Sequence, residues 1–333
     1  MFKRGIIAIC TTLTILAGAA QGQTKTEFPS QPIRIIAGFP AGGFSDTMAR
    51  TIGQELSQSW GTSVIVENRP GANGIIGARL VFNAMPDGYS IGLVSTPFAI
   101  NPSLRNDLPY DTHKDFTPLA LASLAPNVLV VNPTLNVRSL QELISLAKSK
   151  PSALNFASVG VGSSPHLSSE MLNAAAKIQT THVPYTGSGP ALMDLIAGRV
   201  DYMFVNLPAA LPHVRSGKVK ILGVAGERRS PVLPEVPTII EGGIPDFISV
   251  GWYGVMGPAG LSPKIAQQYN TEINRILQLP NLQALMQEQG AEVASLTPSQ
   301  FADFIKTDSQ RWAKAVKDSG TVVVVNSTQE RKK

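Results

Sequence analysis

The stretch Ile33-Arg34-Ile35-Ile36-Ala37-Gly38-Phe39-Pro40-Ala41-Gly42-Gly43-Phe44-Ser45-Asp46-Thr47-Met48-Ala49-Arg50 decides how the rest of the chain is read. A short β-rich apolar run breaks at Pro40, Gly42 and Gly43. It resumes with Met48, Ile52 and Leu56 spaced four apart, the spacing of one helix face. The pattern predicts a strand, a glycine turn and a helix N-terminus in immediate succession. The first N–H groups of a helix have no partner within it and sit at the positive end of its dipole. Such a place binds anions without a lysine or arginine. Most strand–turn–helix junctions, however, only turn the chain. The Gly-Gly pair belongs neither to a G-x-G-x-x-G fingerprint nor to a P-loop, since no G-K-[ST] follows.

The N-terminus reads as an export signal. Lys3 and Arg4 precede an apolar run from Gly5 to Leu16, and small residues follow before Gln23. The run is too short to span a bilayer comfortably. Residues 1–23 are therefore set apart from the fold, against the alternative of a retained anchor. Cys10, the only cysteine, lies inside this run and follows Ile9, a poor context for lipidation. The mature chain then has no thiol for a disulfide, a nucleophile or a metal. Roughly 310 residues remain, enough for two cored domains. The net charge of +5 loses Lys3 and Arg4 with the signal. The only basic run is Arg331-Lys332-Lys333, so a nucleic-acid partner is not expected.

Apolar strand-like runs at Val64–Val66 and Tyr89–Val94 alternate with helical spacing (Ile76, Leu80, Val81), the mark of a parallel sheet. Asn101 to Pro118 reads as irregular, with three prolines. A second β/α run begins near Ala122, with a strand at Val128–Val131 and a capping box at Ser139–Glu142. Strands follow at Leu154–Ser158, His182–Tyr185, Val200–Val205 and Lys220–Ala225, with helices on Leu167, Met171 and Ala175 and on Leu192, Leu195 and Ile196. Val250–Gly257 reads as a strand crossing back to the first half. Helices on Ala266, Tyr269, Ile273 and Leu277, then on Phe301, Phe304, Ile305, Trp312 and Val316, close the chain before a short strand at Thr321–Val325.

Three turns rich in glycine and serine lead into helices: Ala41–Asp46, Gly160–Pro165 and Thr186–Pro190. In open α/β sheets ligands sit beyond the carboxyl ends of the strands, so two facing halves would bring these turns to one cleft. Each turn offers backbone N–H groups and small hydroxyls (Ser45, Ser163, Ser164, Thr186, Ser188) and none contains a lysine, which suits carboxylates better than phosphates. Catalytic signatures are poor: H-E-x-x-H is absent, the four histidines are scattered, and G-x-S-x-G fails because Thr186 precedes Gly187-Ser188-Gly189. No catalytic residue, metal ligand or cofactor is expected. Asp46 in a first helical turn has an ordinary explanation, stabilisation of the helix start, beside a ligand-linked one. Trp252 and Tyr253 are expected as core or hinge packing.

Several segments together resemble a known family: Phe39-Pro40-Ala41-Gly42-Gly43 with Asp46; Val66-Glu67-Asn68-Arg69-Pro70-Gly71-Ala72; Pro86-Asp87-Gly88-Tyr89; Ile100-Asn101-Pro102-Ser103-Leu104; Leu108-Pro109-Tyr110-Asp111 with Asp115-Phe116; Ser164-Pro165-His166-Leu167; Val183-Pro184-Tyr185; and Trp252-Tyr253-Gly254. The chain is similar, over nearly all its mature length, to the periplasmic substrate-binding proteins of tripartite tricarboxylate transporters, the TctC or Bug receptors. The resemblance implies an α/β, two-domain periplasmic binding protein of the Venus-flytrap, type II-like kind, with each domain a mainly parallel sheet flanked by helices. The implied domains are 24–122 with 251–333, and 123–250. It implies capture of a small organic carboxylate in the interdomain cleft by a monomer, in the periplasm, and delivery to membrane permease subunits. The rival readings are a chemosensory protein with the same cleft and an exported hydrolase. The family's two carboxylate pincers carry over to Phe39, Pro40, Ala41, Gly42, Gly43, Phe44, Ser45 and Asp46, and to Tyr185, Thr186, Gly187, Ser188 and Pro190. Ser95, Thr96, Asn101, Ser163, Ser164, His166 and Asn206 are further cleft candidates. Phe44 is bulkier than the family's commoner residue, and Val205-Asn206 stands where Asp-Asn is frequent, so both are expected to reshape the pocket.

Overall fold

In the computed structural model residues 28–321 are described. The leader, and all but the first residue of the strand expected at Thr321–Val325, lie outside the described residues.

Strands β1 (Ile33–Ala37), β2 (Val64–Asn68) and β3 (Ser90–Ser95) are parallel, with β1 in the middle. Side chains alternate between faces along a strand, and here both faces are covered. Ile33, Ile35 and Leu93 pack with Met48, Ile52 and Leu56 of α1 (Phe44–Trp60) and with Tyr269 and Ile273 of α8 (Pro263–Leu277). On the other face Ile36 and Val94 meet Ala78 and Val81 of α2 (Ile75–Phe82) and Phe301 of α10 (Pro298–Ser319).

The second half repeats the plan with β5 (Asn155–Ser158), β6 (Thr181–Pro184) and β7 (Tyr202–Asn206), parallel, in the order β7-β5-β6. One face packs on Leu143 of α4 (Leu140–Ser149) and Leu172 of α5 (Ser164–Ala176). The other packs on Leu192 and Leu195 of α6 (Ser188–Ile196) and Leu207 of α7 (Leu207–Arg215).

Two antiparallel strands join the halves. β4 (Phe116–Val131) pairs with β9 (Val250–Pro258) up to Pro126, then with β7 and with β8 (Lys220–Val224) from Asn127 and Val128 onward. β9 also pairs with β3, so it crosses back as expected. The short helix α9 (Pro280–Glu288) and β10 (Glu292–Val293), which pairs with β4, complete the first half. Within the described residues no helix is long and apolar enough to cross a membrane.

The structure departs from the sequence expectations in several places. The segment read as irregular contains α3 (Pro97–Leu104) and the start of β4. Pro102 lies inside α3 and cannot donate to the Phe98 carbonyl, which instead accepts from the Thr112 hydroxyl at 3.5 Å. The separate strand expected at Val128–Val131 is the end of β4. Its two prolines interrupt nothing: the register shifts between Pro118 and Ala120, and Pro126 stands where β4 changes partners. In α2 the buried side is Ile75, Ala78 and Val81, whereas Ile76 and Leu80 face solvent. In α5 Leu167 is buried as expected, but Leu172 and Ala176 take the places assigned to Met171 and Ala175. Pro165 and Pro190 are the second and third residues of their helices rather than the first. Ser139 caps α4 through the Glu142 N–H, but the Glu142 carboxylate returns to the Arg138 N–H, one residue short of a closed box. The reciprocal capping box is at Thr297 and Gln300.

Candidate functional site

The carboxyl ends of the parallel strands in the two halves point at one another. β1, β2 and β3 end at Ala37, Asn68 and Ser95; β5, β6 and β7 end at Ser158, Pro184 and Asn206. Ser95 is paired with Tyr253 on β9, and Asn206 with Asn127 on β4. Ala125 and Gly251 lie opposite each other between these two levels. A Cβ on Gly251 would come within 2.5 Å of Asn206 Nδ2, so the ends of β7 and β9 meet at that point. The turns that follow the strand ends therefore rim one interdomain cleft.

The first turn is built around Asp46. Its Oδ2 accepts from the Gly42 N–H (2.9 Å) and Arg50 Nε (3.0 Å), and its Oδ1 accepts from Asn68 Nδ2 (2.9 Å). Asn68 also donates to the Phe39 carbonyl at 3.2 Å. Gly42 has φ of 82°, the left-handed region that favours glycine. Burial opposes ionisation of Asp46, but the Arg50 side chain, the Gly42 N–H and the Asn68 amide together hold its carboxyl below the usual carboxylate range. Both oxygens are thus spent inside the protein. Asp46 therefore shapes the turn and leaves no free acceptor oxygen. The N-cap of α1 is Gly43, which supplies no side-chain cap. The hydroxyl of Ser45, a residue 6% exposed, has no hydrogen-bond partner.

The third turn resembles the first. α6 is capped by Gly187, again without a side-chain bond. A Cβ on Gly42, Gly187 or Gly189 would meet nothing within 4 Å, so both turns border open space. Tyr185 donates its hydroxyl to Asp194 at 2.8 Å, and Asp194 also pairs with Arg199. Thr186 and Pro190 are exposed and Ser188 is half-buried.

The second turn differs, because it is consumed by the protein. Ser163 caps α5 by accepting from the His166 N–H (3.3 Å) and donates to the Gly160 carbonyl (2.7 Å). The Gly162 N–H donates to His166 Nδ1 at 3.2 Å, which makes that nitrogen the unprotonated one. Asn73 donates to the Gly162 carbonyl (3.0 Å) and to Asn101 Oδ1 (3.1 Å), and Asn101 donates back to the Asn73 carbonyl. These bonds tie the first half to the second turn.

His166 stacks against His182 at 4.0 Å, and both pack on Phe156. Burial pushes His166 down to about 3, aided by the His182 charge; burial alone pushes His182 down to about 4. Glu170, raised by burial, lies 3.8 Å from His166 Nε2. Folded protein thus binds fewer protons than unfolded protein below the ordinary histidine value of 6.5. Stability is expected to be intact above that pH and to fall as pH drops, by on the order of 3 kcal/mol per histidine by pH 4. His166→Asn keeps an acceptor for Gly162 and does not titrate. His182 still titrates in this variant, so urea midpoints measured against pH should lose about half of their slope between pH 6 and 4; an unchanged slope rejects the assignment.

Ser158 Oγ is 2.7 Å from His182 Nε2, a contact of the kind a hydrolase needs. Ser158 is fully buried, and its hydroxyl donates to the Gly160 carbonyl and accepts from the Gly160 N–H. It is a turn fastener with no access to a substrate. Among the described residues no group of three or more His, Cys, Asp or Glu side chains is placed to hold a metal.

The remaining candidates lie where the halves cross. Thr96 is spent on β9: its hydroxyl accepts from the Trp252 N–H at 2.9 Å and its N–H donates to the Trp252 carbonyl. Ser95 is buried beside it. Phe44 meets the Tyr253 ring edge-on at 4.9 Å, and the Tyr253 hydroxyl donates to Asn206 Oδ1 at 3.3 Å. Asn206 donates to Asn127 Oδ1 (3.0 Å), Asn127 to Ser249 Oγ (2.7 Å), and Ser249 donates to Ser168 Oγ, which donates to the Ser164 carbonyl. Side-chain contacts thus run unbroken from the first pincer to the helix after the second turn. Sequence reading missed Asn68, Asn73, Asn127 and Ser249 in this arrangement. The only available signal was Asn68 and Asn73 within a turn rich in residues that tolerate unusual φ; Asn73 has φ of 56°.

The family described as "Tripartite tricarboxylate transporter family receptor" matches residues 48–321. The chain is 37% identical to the protein BugT of Bordetella pertussis over 317 residues, covering 95% of this chain and 97% of that one. The solved structure of R. palustris Rpa4515 with adipate superposes with a TM-score of 0.86 at 32% identity, covering 90% of this chain and all of that one. MatC (Rpa3494) from Rhodopseudomonas palustris with bound malate gives 0.81 at 33% identity, covering 87% and 100%. The chain belongs to the TctC family of tripartite tricarboxylate transporter receptors.

Proposed function

We propose that this protein is a periplasmic receptor that captures a small organic carboxylate between its two pincers and delivers it to the membrane subunits of a tripartite tricarboxylate-type transporter. The observation that carries the reading is the pair of glycine-capped helices α1 and α6, bordering open space, with the buried, unpartnered Ser45 hydroxyl at the first. Helix N-termini and charge-assisted hydrogen bonds stabilise an anion by about 0.3–2 kcal/mol and 1.5–3 kcal/mol each. Without lysine in either turn, a carboxylate suits them better than a phosphate. The adipate and malate bound to Rpa4515 and MatC are both dicarboxylates, which supports one carboxylate per pincer. Pro40–Asp46 and Tyr185–Pro190 are the ligand-binding segments in this reading, with Ser95, Asn101, Ser163, Ser164, His166 and Asn206 supporting them. The domain division 24–122 with 251–333 against 123–250 belongs to the same reading; the change of partners by β4 at Pro126 and Asn127 favours it to within a few residues.

A thermal-shift panel tests this on the chain from Gln23 onward. Mono-, di- and tricarboxylates and aromatic acids are compared with their neutral amides. A ligand at a hundred times its dissociation constant adds about 2.7 kcal/mol, so one acid class should raise the midpoint by several degrees and its amide should not. A panel in which no acid shifts the midpoint, or in which amides shift it equally, overturns the proposal.

A further inference from the structure

A groove of about 970 Å³ lies on the other side of the crossing strands from the cleft. Strand alternation gives the two faces. Tyr253 and Gly251 of β9 face Phe44 and Asn206, which is the cleft side. Leu124 and Pro126 of β4, opposite Trp252 and Val250 of β9, occupy the other face, and Leu124, Pro126 and Val250 line the groove. One wall is the segment Gly226–Val232 of the second half; the other is the end of α9 with β10 of the first half.

Both walls are anchored: β10 pairs with β4, and Leu282 and Met286 of α9 are buried in the core of the first half. Arg229 bonds to the Glu241 carboxylate and to the Pro234 carbonyl, and Glu241 accepts from the Thr238 N–H. At the α10 side of the groove, Asp308 accepts from the indole nitrogens of Trp252 and Trp312. Across the gap, Arg228 Nη2 donates to both Glu292 oxygens at 2.9 Å, and Arg215 donates to the Glu288 carbonyl at 3.2 Å.

We propose that this groove is the mechanical counterpart of the cleft, and that Arg228 and Glu292, far from the pincers, set the protein's affinity for its ligand. The proposal rests on the receptor reading only for its affinity arm. Two strands connect the halves and α10 packs against both beside them; rigid halves joined in this way move as bodies about the crossing strands, so closing the cleft spreads the groove walls. The Arg228–Glu292 pair holds those walls together and so favours the open cleft. When only the closed form holds ligand tightly, apparent affinity scales with the closed fraction. Breaking the pair, or wedging the groove, tightens binding without touching the site.

The test uses a chain from Gln23 onward, which has no cysteine, spin-labelled at Ala41→Cys and Thr186→Cys on the two exposed pincers. Distances are measured without ligand in Arg228→Glu, Glu292→Arg, the double exchange, and Gln287→Trp, which places a bulky ring in the groove from an exposed position on α9. Each single variant should shift the pincer distances toward the shorter, closed population, by two- to fivefold in the charge variants, and the double exchange should reverse the shift. Calorimetric titration with adipate and with malate, on the same variants without the two cysteine substitutions, should show a two- to fivefold tightening in the charge variants, about the strength of one exposed ion pair. An unchanged or longer distance overturns the proposal, as does shortening that the double exchange leaves in place. Failure of both acids to bind while the distances shift as expected counts against the receptor reading alone.

Discussion

Replacing Asp46 by alanine is expected to weaken carboxylate binding at least tenfold and to lower stability by about 1–3 kcal/mol. Two effects of opposite sign compete. As a negative charge near an anion site, Asp46 should repel the ligand, and its removal should tighten binding. As the acceptor for Gly42, Arg50 and Asn68, it holds the turn whose N–H groups point at the ligand, and its removal should loosen binding. The second effect wins because the Arg50 guanidinium at 3.0 Å already offsets the carboxylate charge. Little repulsion remains to be relieved. The scaffold loss is not offset: the Gly42 N–H and one Asn68 proton lose their acceptor, and nothing then keeps Gly42 in its left-handed conformation. Asp46→Asn, which retains one acceptor oxygen, should fall between wild type and alanine. Calorimetric titration with the acid that gives the largest thermal shift decides the matter, and equal or tighter binding in Asp46→Ala rejects the scaffold role.

The parts of the fold legible in the sequence are those with local causes. β1 and α1 are readable because an apolar run, two glycines and a four-residue repeat follow one another. Tyr269, Ile273 and Leu277 of α8 are buried as their spacing predicts. β4 is not readable this way: its prolines look like punctuation, and what makes them tolerable is a register shift against β9, more than a hundred residues away. α2 hides its buried face because five of its eight residues are large and apolar, so no period stands out. The candidate site divides along the same line. Turn positions are visible from glycine and proline, but which polar atoms remain free depends on distant partners. Thr96 is spent on Trp252, and His166 is spent on Gly162 while stacking against His182. A list of cleft residues drawn from sequence therefore mixes groups facing the ligand with groups that fasten the turns.

Asp308→Ala is expected to cost about 3–5 kcal/mol, the range for breaking a buried pair by removing one partner. Asp308 is 4% exposed. It accepts from Trp252 Nε1 (2.7 Å) and Trp312 Nε1 (3.1 Å), and pairs with Arg311. Alanine would leave two indole N–H groups buried without an acceptor, at about 1–3 kcal/mol each. Arg311 is one-third exposed and can turn to solvent, so its own loss is smaller. The consequence reaches beyond one helix. Trp312 and Val316 of α10 pack with Ile100 and Leu104 of the first half and with Leu167 of the second, so α10 braces both halves. The midpoint should fall on the order of ten degrees. Trp252→Phe removes one of the two donors together with part of the buried ring volume, and should cost less by itself than Asp308→Ala. In the Asp308→Ala background it should cost less than in the wild type, because the N–H it deletes is already unpaired and only the loss of buried ring volume remains. Urea melts of the four proteins measure this coupling. Additive losses, or a loss below about 1 kcal/mol for Asp308→Ala, would show that the carboxylate is not the acceptor holding α10 against β9.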